Sequence, residues 1–403
     1  MSNALTTIAL DRDTDIGWDA AALPNETVDD VGNPFPSDPG FGVADPRAPK
    51  RRAYDDPDVV ALREHLKRHN GVFGLEIVAP NDVAKAARIF RRDGYVVVRD
   101  VLNERELERF RAGCARVLAQ ILAIPGRDGR RYMTETSRLP HRYSYGTSSA
   151  SRHLMHEPEW ASMIDLPTTT PILKAIFGSS DYFVRGGGGD LCLPGAIEYQ
   201  HLHWDYKDPL AMPESRLAQA QRLGIELRRH AGADELGAAA LDLATQRLIV
   251  ERTPPLVTIN FLMSDQTREN GPIRQIAGTH ASQSTPPLPQ DEPEWMRLST
   301  LVGARAGAAV FRDTRAWHGG TPNLSREIRA MPNVEYAAPW FDIYPFMQSM
   351  PHAIWQTLSP HAQHLCRRIV CAPGMWPPGA GVMHPLAAER KAALERAGAS
   401  PVA

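Results

Sequence analysis

The order of hydrophobic and polar positions predicts short strands packed against helices. Residues 82–92 follow a helical pattern that Gly94 ends, and the apolar, mostly β-branched run at 95–98 predicts a strand. Asn103 and Glu106 have the spacing of a capping box at the start of the next helix. One face of that helix is apolar and comprises Leu107, Phe110, Cys114, Val117, Leu118, Ile121 and Leu122. We therefore expect this helix to pack against a sheet.

From residue 181 onward the pattern changes to short strands separated by turns. The predicted strands are 199–205, 255–263, 273–276, 307–312 and 333–338. The run Gly186–Gly189 lacks the Lys-Ser/Thr ending of a phosphate loop, which favours a flexible turn. Between the strands, the stretch 213–250 predicts one helix beginning near Pro213 and a second over 234–248. This order is typical of an α+β fold that is mainly β: a jelly roll (double-stranded β-helix, cupin-like) with a helical jacket and a helical insertion at about 210–252.

Composition divides the 403 residues into three parts. Residues 1–55 are rich in Asp, Pro, Gly and Asn and predict an irregular N-terminal arm. The jelly-roll domain is expected over 56–345, and 346–403 form a C-terminal extension of helices and loops.

Charge and cysteine content exclude some classes of partner. The formal net charge is −2, which gives no electrostatic reason to expect nucleic acid or an anionic membrane as partner. Four cysteines without C-x-x-C spacing are expected to be reduced thiols. No apolar run approaches the roughly 20 residues of a membrane span, and no secretory signal is recognisable. We expect a cytoplasmic protein with a small-molecule substrate; the sequence does not determine its oligomeric state.

The segment 199–205 carries the candidate chemistry. In a strand, His201, His203 and Asp205 would share one face, where imidazole and carboxylate groups can bind a divalent metal. The His-x-Asp step is half of the facial triad of non-haem Fe(II) oxygenases, and His318, just after an apolar strand, is the best candidate for the third ligand. Arg329, eleven residues further on, could bind a dicarboxylate co-substrate in a bidentate manner.

Several assignments stay open at this point. His201 competes with Asp205 as a ligand, although a position at the edge of the cavity is favoured. Arg326 is an alternative to Arg329. The stretch 126–153 contains Arg127, Arg130, Arg131, Arg138, Arg142 and Arg152 among three tyrosines. This stretch could line a pocket for an anionic substrate, but a solvated face is favoured.

Five segments in order resemble the phytanoyl-CoA dioxygenase family of Fe(II)/2-oxoglutarate oxygenases, over roughly residues 85–345. They are Asp93-Gly-Tyr-Val-Val-Val, Gln200-His-Leu-His-Trp-Asp, Ile259-Asn-Phe-Leu-Met-Ser-Asp, Glu269-Asn-Gly-Pro-Ile-Arg with Ala277-Gly-Thr-His, and Asp313-Thr-Arg-Ala-Trp-His followed by Arg329. Together they are far more specific than any one motif.

The resemblance implies His203, Asp205 and His318 as ligands of Fe(II), with 2-oxoglutarate and O2 as co-substrates. It implies that Arg329 binds the distal carboxylate of 2-oxoglutarate and that Gln200 lies near the co-substrate. Members of the family often have a serine two residues after the distal histidine, where this chain has Gly320. A hydroxyl contact to the co-substrate would then come from Thr321 or from elsewhere.

The expected activity is oxidation of an unactivated C–H bond of a small organic substrate, with hydroxylation as the default outcome and release of succinate and CO2. The large insertion favours a sizeable substrate such as a natural-product intermediate. The alternative is a cupin-like metal protein without oxygenase activity, an isomerase or a ligand-binding module, that uses His201, His203 and His318. A degenerate family member that only binds ligands is a third hypothesis, which the intact triad disfavours.

Overall fold

The computed structural model describes residues 15–18, 52–122, 141–149, 151–230, 240–341, 346–375 and 377. Ten α-helices occur in these ranges: α1 (Pro57–His69), α2 (Val83–Asp93), α3 (Glu104–Leu122), α4 (Pro158–Ser162), α5 (Thr170–Phe177), α6 (Glu214–Arg222), α7 (Leu243–Arg252), α8 (Glu294–Arg297), α9 (His352–Trp355) and α10 (Pro360–Leu365). None of the helices in these ranges is both long and apolar enough to span a membrane.

The described ranges also contain ten strands that form a mixed sheet of eight and a separate pair. They are β1 (Ile77–Val78), β2 (Tyr95–Val98), β3 (Arg142–Ser144), β4 (Phe183–Gly186), β5 (Gly189–Cys192), β6 (Leu256–Phe261), β7 (Arg274–Gln275), β8 (Ala309–Asp313), β9 (His318–Gly319) and β10 (Arg329–Ala337). The larger sheet has the order β1-β2-β8-β6-β10-β5-β3, and β4 also pairs with β10. Only β1 and β2 run parallel among these pairs, and β7 pairs with β9.

The central strands separate an apolar face from a polar one. Val334, Ile259 and Phe311 lie opposite one another on β10, β6 and β8 and belong to the main hydrophobic core. Helices α2, α3 and α5 contribute to the same core. Side chains alternate along a strand, so the residues next to Val334 and Ile259 point to the other face of the sheet. On that face Asn333 lies opposite Asn260. A fully buried strand can therefore present polar groups to a cavity.

Several predicted elements are confirmed and two need correction. The helix over 82–92 corresponds to α2, and the capping box of α3 is present in both directions: the Asn103 amide donates to Glu106 at 2.9 Å and the Glu106 amide donates to Asn103 Oδ1 at 3.0 Å. The prediction of a strand over 199–205 is wrong, because only an isolated bridge at His203 forms there. The last predicted strand begins at Arg329 rather than at 333.

The glycine run, predicted as a flexible turn, joins β4 to β5, and close packing requires its glycines. Gly189 has φ +101°, and a Cβ there would collide with the carbonyl oxygen of Met331 on β10. A Cβ at Gly187 would collide with the carbonyl oxygen of Asn333. The run lets the chain pass directly against β10, and flexibility does not explain it.

A chain of buried ion pairs ties the helical insertion to the sheet. Asp208 accepts from Arg216 of α6 and from Arg315, each at 2.7 Å between Oδ2 and the guanidinium. Arg315 also pairs with Asp313 at 2.7 Å. Asp313 therefore ends β8 and anchors this network. Helix α7 lies at 243–252 and the predicted 234–248 overlaps it only in part; residues 231–239 lie outside the described ranges.

The C-terminal residues 346–375 pack onto the main core. Met350, Leu365, Cys366 and Ile369 are buried in it. The predicted boundary at 345/346 and most of the predicted N-terminal arm lie outside the described residues, so the division into three parts stays a prediction.

Candidate metal centre

Two segments distant in sequence bring His203 and His318 together. Each residue donates its backbone N–H to the carbonyl of the other, at 3.0 and 2.9 Å, and the ring centroids are 4.2 Å apart. Two residues further on, the amide of Asp205 donates to the carbonyl of Thr314 at 2.9 Å. This pairing aligns the His-x-Asp step with the segment that precedes and includes β9.

The three side chains point potential ligand atoms at one another. One potential ligand atom each from His203, Asp205 and His318 lies within 4.8 Å of the other two. Asp205 Oδ1 is 3.6 Å from Nε2 of His203 and 3.4 Å from Nε2 of His318. Each Nδ1 lies beside a backbone carbonyl, that of His201 at 2.9 Å and that of Ala316 at 3.0 Å. If each Nδ1 donates its proton there, both Nε2 lone pairs are free to bind a metal.

The surroundings favour the protonation states that a divalent metal requires. Burial, and then the proximity of His318, lower the pKa of His203 to about 3, so this imidazole is neutral at pH 7. Burial opposes ionisation of Asp205, but the Arg312 guanidinium and the two histidines outweigh it and hold the pKa of the carboxyl well below its usual range. Neutral imidazole nitrogen and anionic carboxylate oxygen are the donor types of the non-haem iron triad. The residues present therefore fit Fe(II).

Arg312 is a site residue that sequence reasoning missed. Its Nη1 lies 2.7 Å from Asp205 Oδ2, and the guanidinium is buried. The same nitrogen is 3.1 Å from His318 Nδ1. This contact is not a hydrogen bond when Nδ1 is protonated and donates to the carbonyl of Ala316. A signal was available: Arg312 is the only basic residue in the apolar run Ala-Val-Phe-Arg-Asp of β8.

A cavity of about 200 Å³, open to solvent, adjoins these groups. Its walls are Arg142, Tyr143, Ser144, Arg152, His153, Gly188, Gly189, Asp190, Leu191, Gln200, His203, Asp205, Asn260, Ile273, Arg312, His318, Gly319, Gly320, Arg329, Met331, Asn333 and Glu335. His201 is not among them, and the group of potential metal ligands does not include it.

Arg329 lines the same cavity with a guanidinium that has two unpartnered nitrogens. The residue begins β10 and is 3 % exposed, and its Nε and Nη1 have no hydrogen-bond partner within the described part of the chain. Burial lowers its pKa. Leaving a buried cationic donor unpaired is costly, so this geometry favours an external anion. Arg326, the alternative, instead pairs with Asp15 at 2.5 Å and lies over the ring of Tyr54.

The sequence of this region also matches a known family. Residues 233–331, which include His318 and Arg329, match the family model of phytanoyl-CoA dioxygenase (PhyH). Over this segment the chain is similar to the PhyH family.

Among solved structures, the chain is similar to AviO1 from Streptomyces viridochromogenes Tue57, with 17 % identity over 67 % of this chain and 98 % of that chain and a TM-score of 0.41. It is also similar to the non-heme alpha ketoglutarate dependent carbocyclase SnoK from nogalamycin biosynthesis, with 20 % identity over 63 % and 83 % of the two chains and a TM-score of 0.40. HygX from Streptomyces hygroscopicus, with nickel, 2-oxoglutarate and hygromycin B bound, gives 17 % identity over 64 % and 87 % and a TM-score of 0.39. No curated protein sequence matches the chain.

The two remaining candidate residues occupy different places. Gln200 lines the cavity, and its Oε1 accepts from the amide of Gly320 at 3.0 Å. Thr321 is not brought into the cavity: its buried hydroxyl donates to the carbonyl of Pro272 at 2.6 Å. The hydroxyl contact expected from Thr321 is therefore directed elsewhere.

The arginine-rich stretch belongs partly to the cavity. Arg142 and Tyr143 are buried and line it, as does Arg152, so the interpretation of a solvated face is wrong for Arg142. The other arginines of this stretch, at 127, 130, 131 and 138, lie outside the described residues.

Proposed function

We propose that this protein uses Fe(II), 2-oxoglutarate and O2 to oxidise an unactivated C–H bond of a small polar molecule, with release of succinate and CO2. His203, Asp205 and His318 would hold the iron, and Arg329 would bind the distal carboxylate of 2-oxoglutarate, with Gln200 nearby. The observation that carries the proposal is the combination, around one cavity, of three facing ligand atoms and a buried guanidinium with two unpartnered nitrogens.

Each residue contributes a defined function. Bound iron would supply the activation of O2 that C–H oxidation requires. The backbone carbonyls of His201 and Ala316 orient the two imidazoles through Nδ1. Arg312 holds Oδ2 of Asp205, which leaves Oδ1 directed between the imidazoles. Burial of Arg329 excludes water from its Nε and Nη1, which strengthens its pairing with a carboxylate.

We further propose that the sheet and the β7–β9 pair are the two sides of a double-stranded β-helix. The separate pair carries His318, whereas β8 and β10 of the larger sheet carry Arg312 and Arg329, and all three residues line the cavity. The antiparallel pairing of most strands also supports a jelly roll.

The walls of the cavity favour a polar substrate. Among the wall residues, only Leu191, Ile273 and Met331 have fully apolar side chains. Tyr143 adds an aromatic ring that carries a hydroxyl group. Pockets for apolar ligands are lined mostly by hydrophobic side chains. A long acyl chain would leave hydrogen-bonding groups such as the buried Oδ1 of Asn260 without partners, so a small molecule rich in hydroxyl or amino groups fits better. A natural-product intermediate remains our expectation for its origin.

Anaerobic spectroscopy tests the proposal. Addition of Fe(II) and then 2-oxoglutarate should produce the weak visible charge-transfer band of a chelated complex. The band should weaken in Arg329→Met and disappear in His318→Ala. Arg326→Met is the matched control, because this arginine is three residues away and engaged outside the cavity. Tight metal binding without a band in the unmodified protein would refute the oxygenase function.

A further inference from the structure

Two arginines lie in one row across three strands beside the cavity. Cys192 on β5 is the register partner of both Arg142 on β3 and Arg329 on β10. Residues directly opposite in antiparallel strands project to the same face. Both arginines accordingly line the cavity, although the candidate chemistry assigned a function only to Arg329.

The guanidinium of Arg142 is held in place with one side directed at the cavity. Its Nη2 donates to the carbonyls of Glu198 and Thr321, each at 2.7 Å. Its Nη1 lies against Gly320, where a Cβ would collide with it. The Nε is buried without a hydrogen-bond partner in the described residues. Two backbone carbonyls thus orient the group but do not neutralise its charge.

The charges around the row leave a place for an anion. Arg142 and Arg329 are like charges, and the proximity of Arg142 contributes to lowering the pKa of Arg329, after the larger effect of burial. The carboxylate on the adjacent row is Asp190, which lies opposite Met331 and faces the cavity. Two buried cations close to one acid are stabilised when a further carboxylate lies between them.

We propose that Arg142 and Arg329 together bind one carboxylate, the distal carboxylate of 2-oxoglutarate, as a pair of guanidinium groups. Arg142 then makes the additional contact that Thr321 does not make. This inference rests on the proposed function. A carboxylate of the organic substrate has the same chemistry, so the experiment must distinguish the two sources.

Calorimetric titration of the anaerobic Fe(II)-loaded protein makes this distinction. The ligands are 2-oxoglutarate and 2-oxopentanoate, which keeps the chelating keto acid but has a methyl group in place of the distal carboxylate. Arg142→Met should weaken 2-oxoglutarate binding about tenfold or more, the loss expected for hydrogen bonds between charged groups, and should leave 2-oxopentanoate binding unchanged. Arg142→Lys should restore part of the affinity. Arg152→Met, at another cavity arginine, should leave both affinities unchanged.

Other outcomes separate the hypotheses. If the Arg142→Met protein binds 2-oxoglutarate as tightly as the unmodified protein does, the paired site is refuted. If that variant also has a raised KM for the organic substrate, Arg142 is assigned to the organic substrate instead. Equal weakening of both keto acids would indicate a purely structural function of Arg142 and also refute the proposal. If the unmodified protein binds neither keto acid, the proposed function itself fails.

Discussion

Arg312 Nη1 lies 2.7 Å from Asp205 Oδ2, and this ion pair sets the direction of the candidate carboxylate ligand. The other oxygen of Asp205 is thereby directed at the Nε2 atoms of His203 and His318. Because Arg312 projects from the interior of β8, the carboxylate is held by the sheet and not by its own loop. The sheet therefore contributes directly to the arrangement of these donors.

We predict that Arg312→Met weakens metal binding about 10- to 100-fold, the usual effect of removing a group that orients a metal ligand. Calorimetric titration with Co(II) would measure this change. Arg305→Met is the control, because Arg305 forms an exposed ion pair with Asp265 at 3.2 Å. Unchanged Co(II) affinity in a folded Arg312→Met protein would show that the ion pair does not position Asp205.

The buried network of the insertion should contribute strongly to stability. Arg216 is fully buried and bonds Asp208 at 2.7 Å and the hydroxyl of Thr253 at 2.8 Å. Arg216→Met leaves part of this network unpaired and should lower the free energy of unfolding by about 3–5 kcal/mol. Arg228→Met, which removes an exposed pair with Glu226, should cost about 1 kcal/mol or less. Urea denaturation of both variants measures the difference, and equal losses would contradict the prediction.

The carboxylate of Asp165 should make attachment of the C-terminal segment pH-dependent. Burial alone would raise the pKa of Asp165, but hydrogen bonds from Ser359, His361 and Thr170 outweigh it and lower the pKa. A lowered pKa in the folded state contributes stability that is complete above the unfolded value of about 4 and is lost as the pH falls through the folded pKa.

Asp165→Asn should therefore lower the unfolding free energy by about 1–3 kcal/mol at pH 7, and the difference should shrink at pH 3. Thermal denaturation at the two pH values measures it. Asp181→Asn is the control, because that carboxylate pairs with His364 and Arg367 at the surface. A loss that is the same at both pH values would show that ionisation of Asp165 is not its origin.

The close approach of β5 to β10 predicts unequal effects of two glycine substitutions. Gly189 and Gly303 have similar φ values, +101° and +95°, but a Cβ at Gly189 would collide with Met331 whereas nothing lies within 4 Å of one at Gly303. Gly303→Ala should cost only the left-handed backbone penalty, about 1–2 kcal/mol. Gly189→Ala should cost a further 1–3 kcal/mol or so from overpacking. Urea denaturation that gives equal losses would contradict the close approach.

The sequence by itself determined those features that depend on neighbouring residues. The β-branched run at 95–98, the capping box of Asn103 and Glu106, and the helix beginning after Pro213 are local, and each has its predicted conformation. The spacing of the His-x-Asp step, together with a distant histidine and arginine, was sufficient to select four residues that the fold gathers around one cavity.

Only the tertiary structure decided how these residues are held. The segment 199–205 has the composition of a strand, yet it forms only a single bridge. Its partner is β9, which has only two residues and is too short to support a longer ladder. The functions of Arg312, Arg142 and Asp313 could not be assigned from the sequence, because a guanidinium or carboxylate alone does not indicate its partner. Their partners, Asp205, the Glu198 and Thr321 carbonyls, and Arg315, are fixed by strand register and chain crossing. Register acts between residues far apart in sequence, which is why no local pattern predicts it.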